Sequence, residues 1–205
     1  YPIPYRAARG GAKAFPGLYR PIYRNGKMRY NITAHNADMA YKVDATDTAE
    51  LSAAMTEMRR VAVEFADFFR SEIPGYQDSF LFQVAEQAGV RESRRVVGLH
   101  TLTGEEALSA AEFEDSVGYC GATVDVHDVD GGKSPTLMKA IKGGKAYQVP
   151  YRILVPKLVD GLLVAGRCVS TDRIAMGSIR QQAGCMVTGQ AAGTAAALAD
   201  RKSVV

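Results

Sequence analysis

Histidine and cysteine are scarce in this chain of 205 residues: His35, His100 and His127, and Cys120, Cys168 and Cys185. With no helical pair such as HExxH, three histidines offer no zinc-protease signature. The cysteine spacings match neither CxxC nor a zinc framework, and their odd number points to reduced, small buried thiols rather than a disulfide scaffold. Charge of one sign is lacking too. The formal +3 comes from 25 basic and 22 acidic residues spread along the chain, with no Lys/Arg block or aromatic-laced basic stripe, so no nucleic-acid partner is expected. No run reaches the roughly 20 apolar residues of a membrane span. GxSxG, Walker and GxGxxG loops are absent, so a dinucleotide's pyrophosphate loop is expected outside these residues. The opening "YPIPYRAARGG" lacks a basic segment followed by an apolar one and starts on Tyr1, and reads as the beginning of an internal piece of something longer.

The rest has the composition of a globular protein, 47% hydrophobic and 23% charged, long enough for one large domain or two small ones. In "DTAELSAAMTEMRRVAVEFADFFRSEIPGY", Leu51, Met55, Met58, Ala62, Phe65 and Phe69 repeat at steps of four and three, predicting an amphipathic helix with a core-facing stripe. Asp47 with Glu50 supplies a capping-box start, and Pro74-Gly75 the stop. Asn25-Gly26 between aromatic and β-branched residues predicts a hairpin. "VVGLHTLTGEEALSAAEFED" predicts a strand ending near Thr103, then a helix capped by Thr103 or Gly104. "VDVHDVDGGKSPTLMKAIKGGKAYQVP" reads mostly as loop, and "DGLLVAGRCVS" as a buried, parallel-type strand.

Two charged groups carry candidate chemistry. Asp128, Asp130 and Gly131 echo a calcium loop, but Val126 and Leu137 would then fill its first and twelfth positions, so that reading fails. His127, beside Asp125 and Asp128, is a candidate acid or base; a surface turn is the alternative. Arg91, Arg94 and Arg95 surround Glu92, which suits either an anchor for an anionic substrate or phosphate, or a solvated charge run.

"GSIRQQAGCMVTGQAAGTAAALA" carries no charge from Ala183 to Ala199. Gly189 and Gly193 remove side chains from one helix face and invite close packing of another element. A helix start at Gly177-Ser178, after a strand and a glycine turn, would present main-chain N–H groups to an anionic ligand.

Residues 147–199, with YRxLxPK, LLVAGRC, GSIR and GQAAGTAAAL in that order, resemble the C-terminal signature of the FAD-dependent oxidoreductases, relatives of the glutathione-reductase-like flavoproteins. "GVRESRRVVGLHTLT" and "VDVHDVDG" resemble that family's middle region. The resemblance implies an α/β fold, α+β within this stretch: a substrate or cap portion over 1–146, and a strand-loop-helix over 147–205 completing a Rossmann-like FAD domain.

By the same resemblance, Gly166 and Arg167 would lie beside the flavin's ribityl and phosphate region, Arg167 standing where many relatives have Asp. Gly177, Ser178, Ile179 and Arg180 would lie near the isoalloxazine edge, with the face of Gly189, Ala192 and Gly193 packed on the flavin domain. A small-molecule substrate would exchange hydride with FAD, oriented by Arg91 or Arg152, with His127 as acid or base. A homo-oligomer is compatible with this scheme. The alternative is a non-catalytic α+β module whose Gly/Ala helix packs on a partner subunit.

Overall fold

The structure, a computed structural model, describes residues 43–81, 83–126 and 137–202 together with two short strands near the start. The chain forms two compact units, residues 1–40 with 49–88, and residues 41–48 with 89–205.

In the first unit, β1 (Tyr23–Arg24) pairs antiparallel with β2 (Lys27–Met28), as the Asn-Gly signal predicts; Asn25 and Gly26 themselves lie outside the described residues. The helix α1 (Thr48–Glu72) begins directly after Asp47. Its stripe from Leu51 to Phe69 is half-buried or buried, and the deepest residues are Phe69 within it and Val61 and Phe68 at its border. Tyr76 closes the end of the helix, its ring centroid 5.0 Å from that of Phe69.

The second unit is mixed α+β. Thr103 caps α2 (Gly104–Ser109) in a complete capping box: the Glu106 N–H donates to the Thr103 hydroxyl, and the Thr103 N–H to the Glu106 carboxylate. The predicted strand before it is an extended segment with single bridges, Gly98 to Pro156 and Leu102 to Thr171. It lies between two other irregular stretches, accepting from Lys157 through Val97 and from Asp172 through Leu102.

β3 (Ser116–Cys120) pairs antiparallel with β6 (Tyr147–Pro150), and β4 (Val124–Val126) with β5 (Leu137–Lys139). The stretch expected as loop therefore contains a short hairpin; residues 127–136 lie outside the described ones. Leu102, Val124, Tyr147, Val149, Ile153, Leu154, Val169, Met176 and Ile179 make the core under these pieces.

Two expectations change here. Residues 160–170 do not form a buried strand: Leu162 is exposed, residues 163–166 are half-buried, Gly166–Cys168 form a 3-10 turn, and only Val169 and Ser170 at the end are buried. No described strand lies alongside them, so the apolar run has no ladder to join. Nor does a helix start at Gly177. Asp172 accepts the Ala175 N–H at 2.7 Å and starts α3 (Arg173–Ile179) four residues earlier. The chain turns at Arg180 and Gln181 into α4 (Gln182–Lys202). Gly184 permits that turn, since a Cβ there would sit 2.2 Å from the Ile179 carbonyl oxygen.

Candidate functional site

Gly177 lies on β4 so closely that a Cβ would come within 2.6 Å of Val126 Cγ2 and 3.0 Å of the Asp125 carbonyl oxygen. This contact carries the end of α3 to β4 and sets Arg180 against Asp125. Arg180 Nη2 donates to the Asp125 carbonyl oxygen at 2.8 Å and reaches Oδ2 at 3.4 Å. The same Oδ2 meets Arg91 Nη1 at 3.3 Å. One carboxylate thus bridges two guanidinium groups.

Glu92 makes a second bridge beside it, to Arg95 at 2.6 Å and to Arg173 at 3.6 Å. Arg180 is the deepest member, its side chain 15% exposed against 31% for Arg91. Burial, then the nearby Arg91 charge, push the Arg180 guanidinium below its ordinary pKa; Asp125 and Glu92 oppose this, and Arg167 adds to it. Four guanidinium groups therefore share two carboxylates among the described residues, with the Arg167 charge close by.

Arg167 comes from the 3-10 turn. Gly166 takes φ +73°, and its N–H donates to the buried Thr188 hydroxyl at 3.0 Å, which ties the turn to α4. Cys185 fastens the other side, donating from Sγ to the Arg180 carbonyl at 3.2 Å; burial raises its thiol pKa and Arg167 opposes the rise. All three cysteines are free thiols, and Cys120 is buried. Gln182 and Ala183, the first residues of α4, are exposed.

The structure brings Arg91, Arg167 and Arg180 together and leaves Arg152 elsewhere. Arg152 grips Asp115 through Nε at 3.0 Å, Nη2 at 3.3 Å and its main-chain N–H at 3.0 Å. Burial alone would raise the Asp115 carboxyl, but these donors outweigh it and hold its pKa below the ordinary value. Gly177, Ser178 and Ile179 are core residues. The Tyr147 hydroxyl donates to Ser178 Oγ at 3.2 Å, and Ser178 donates to the Ala122 carbonyl at 2.6 Å. Burial, first, and the adjacent Cys120 thiol push the Tyr147 phenol well up. His127 lies outside the described residues.

Sequence reasoning noticed Asp125 only as a neighbour of His127, and it overlooked Arg173. The Asp172 cap was the available signal, since it sets Arg173 at the head of a helix. On α4, Gly189 and Gly193 have nothing within 4 Å of where a Cβ would stand, among the described residues.

The model of the family described as FAD dependent oxidoreductase matches residues 3–205. The chain belongs to this family. FAD is its cofactor and oxidoreduction its chemistry. No curated protein matches the chain, and no solved structure does.

The residues present fit such a cofactor in their chemistry. Arg167 and Arg180 are cationic donors suited to phosphate or an electron-rich ring, and the positive end of α4 begins beside them. The open strip at Gly189 and Gly193 leaves room for close approach of another element. No helix among the described residues is long and apolar enough to cross a membrane.

Proposed function

We propose that the protein transfers hydride between a small-molecule substrate and FAD, and that these residues form the C-terminal part of a glutathione-reductase-like flavoenzyme. In this reading residues 147–205 supply the cofactor side and residues 1–146 the substrate side. The observation that carries it is the family match over residues 3–205, supported by the cationic groups gathered where the 166–168 turn meets α4. Bound FAD supplies the two-electron acceptor or donor.

The chain's own groups do the rest. The first turn of α4 and Arg180 favour the negative charge that develops on reduction, a stabilisation specific to the reduced state. Gly166 and Arg167 hold the phosphate side. Gly177, Ser178 and Ile179 act through packing, by fixing Arg180 on β4. Arg91, anchored by Asp125, orients the substrate, and His127 takes or gives the proton. Arg152, closed on Asp115, maintains the fold.

The visible absorption spectrum of the protein purified from its complete reading frame, beside that of residues 1–205 mixed with FAD, tests this reading. Flavin bands that bleach on addition of substrate or reductant are expected of the long form; a long form that stays colourless and takes up no FAD overturns it. The exposed strip of α4, with Met186 71% and Leu198 54% exposed, also suits the alternative of a non-catalytic module, which predicts a stable dimer without flavin.

A further inference from the structure

We infer that Arg91 and Arg180, bridged by Asp125, form an oxyanion subsite that receives a carboxylate or phosphate group of the substrate. This deepens the reading above only in assigning the anion to the substrate; anion binding itself stands on the charge arrangement.

Asp125 is shared rather than owned. Its Oδ2 lies 3.3 Å from Arg91 and 3.4 Å from Arg180, beyond the roughly 2.7–2.9 Å of a strong charge-assisted bond. A guanidinium carries about five N–H donors, and the contacts of Arg91 and Arg180 with Asp125 engage few of them. Glu92 is bonded to Arg95 and Arg173 and acts on Arg180 only through its charge, while Arg167 adds positive charge nearby. A half-buried guanidinium has lost water that an incoming oxyanion replaces, and the fork of each arginine matches two oxygens at once. Arg180 remains in position during exchange, because its 2.8 Å bond is to the Asp125 main chain and not to the carboxylate. Asp125 is thus a resident counter-ion with which an incoming, doubly charged anion competes for the two guanidinium groups.

Calorimetric titration with inorganic phosphate tests this on wild type, R91Q, R180Q and D125N, each with and without FAD. Wild type is expected to bind phosphate equally with and without FAD. Each arginine variant should bind about tenfold more weakly or worse, as follows from losing a charged hydrogen bond. D125N should bind about tenfold more tightly, since a competing negative charge is gone. A merely structural ion pair predicts the reverse, so weaker phosphate binding by a folded D125N overturns the subsite. Loss of phosphate binding on FAD loading would give the cationic pair to the cofactor's own phosphates and overturn the assignment to substrate. Flavin bands without phosphate binding would sink the subsite while leaving the hydride-transfer reading intact. Phosphate binding with the expected variant pattern in a protein that never takes up FAD, even when made from its complete reading frame, supports the oxyanion site and sinks that reading instead.

Discussion

Two arginine–carboxylate sites in the same unit differ in how their charges are shared. At Asp115 one carboxylate meets one arginine through three donors at 3.0–3.3 Å, two from the guanidinium and one from the main chain. At Asp125 one carboxylate oxygen is divided between two arginines at longer range. The first site is a one-to-one pair, in which a single arginine meets its carboxylate with both a guanidinium nitrogen and its main-chain N–H at 3.0 Å. The second is shared, with two guanidinium groups on one carboxylate oxygen among the described residues. An arginine beside an acid is therefore not a single kind of feature, and it is the imbalance that separates a strut from a receptor.

The largest effect on this contrast comes from Gly177, which holds the shared site together without belonging to it. In G177A the new methyl would collide with Val126 and the Asp125 main chain, so β4 or α3 must move. Overpacking of this kind costs about 2–3 kcal/mol. Thermal unfolding should show a clearly lowered midpoint, and phosphate binding should weaken because Asp125 and Arg180 separate. An unchanged midpoint would mean that α3 and β4 are less closely apposed than described.

Breaking the one-to-one site should do less and do it elsewhere. D115N loses the charge but keeps a side-chain oxygen, and the expected cost is about 1 kcal/mol for the weakened acceptor, with phosphate binding unaltered. The Asp115 pair should also give a pH signature. Its carboxyl pKa is lower folded than the ordinary 3.8, so its contribution is fully present above that value and is lost as pH falls through the folded-state value. Wild type should therefore lose more stability than D115N across that acid range. Parallel curves would show that Asp115 adds nothing through its charge.

The sequence foretold elements whose signals are local. The 4–3 stripe of α1, the Thr103–Glu106 box of α2 and the Asn-Gly signal between β1 and β2 are each local, and α1, α2 and the β1–β2 pairing all form. The β4–β5 hairpin was missed because strands of three residues are too short to display an alternation. The 161–168 run was misread because apolar residues announce that something covers them, not which element does so or in what conformation. At the site, the Arg91 cluster and Arg180 were visible as residue types. Their meeting depends on Gly177 lying against β4, a contact between residues 52 positions apart in the chain, and no local pattern encodes that. Ser178 shows a different limit: the expected helix start at Gly177-Ser178 lies instead inside a helix that Asp172 caps, and the Ser178 hydroxyl meets the buried Tyr147 and a main-chain carbonyl.

The smallest effect belongs to a third arrangement, in which the imbalance is reversed and exposed. On α1, Arg60 lies between Glu57 and Glu64, one turn away on either side, and the arginine and Glu57 side chains are each 51% exposed. Water screens such pairs and their side chains lose entropy on joining, so exposed helical ion pairs contribute little to stability. R60Q should leave the unfolding midpoint unchanged within error, and it should leave phosphate binding unchanged as well, since its ion-pair partners Glu57 and Glu64 lie on α1 itself. Its role is to separate charge from site: if R60Q weakened phosphate binding as much as R180Q, the affinity would come from the net charge of the whole chain. An effect confined to Arg91 and Arg180 would instead tie it to two half-buried guanidinium groups competing for one oxygen.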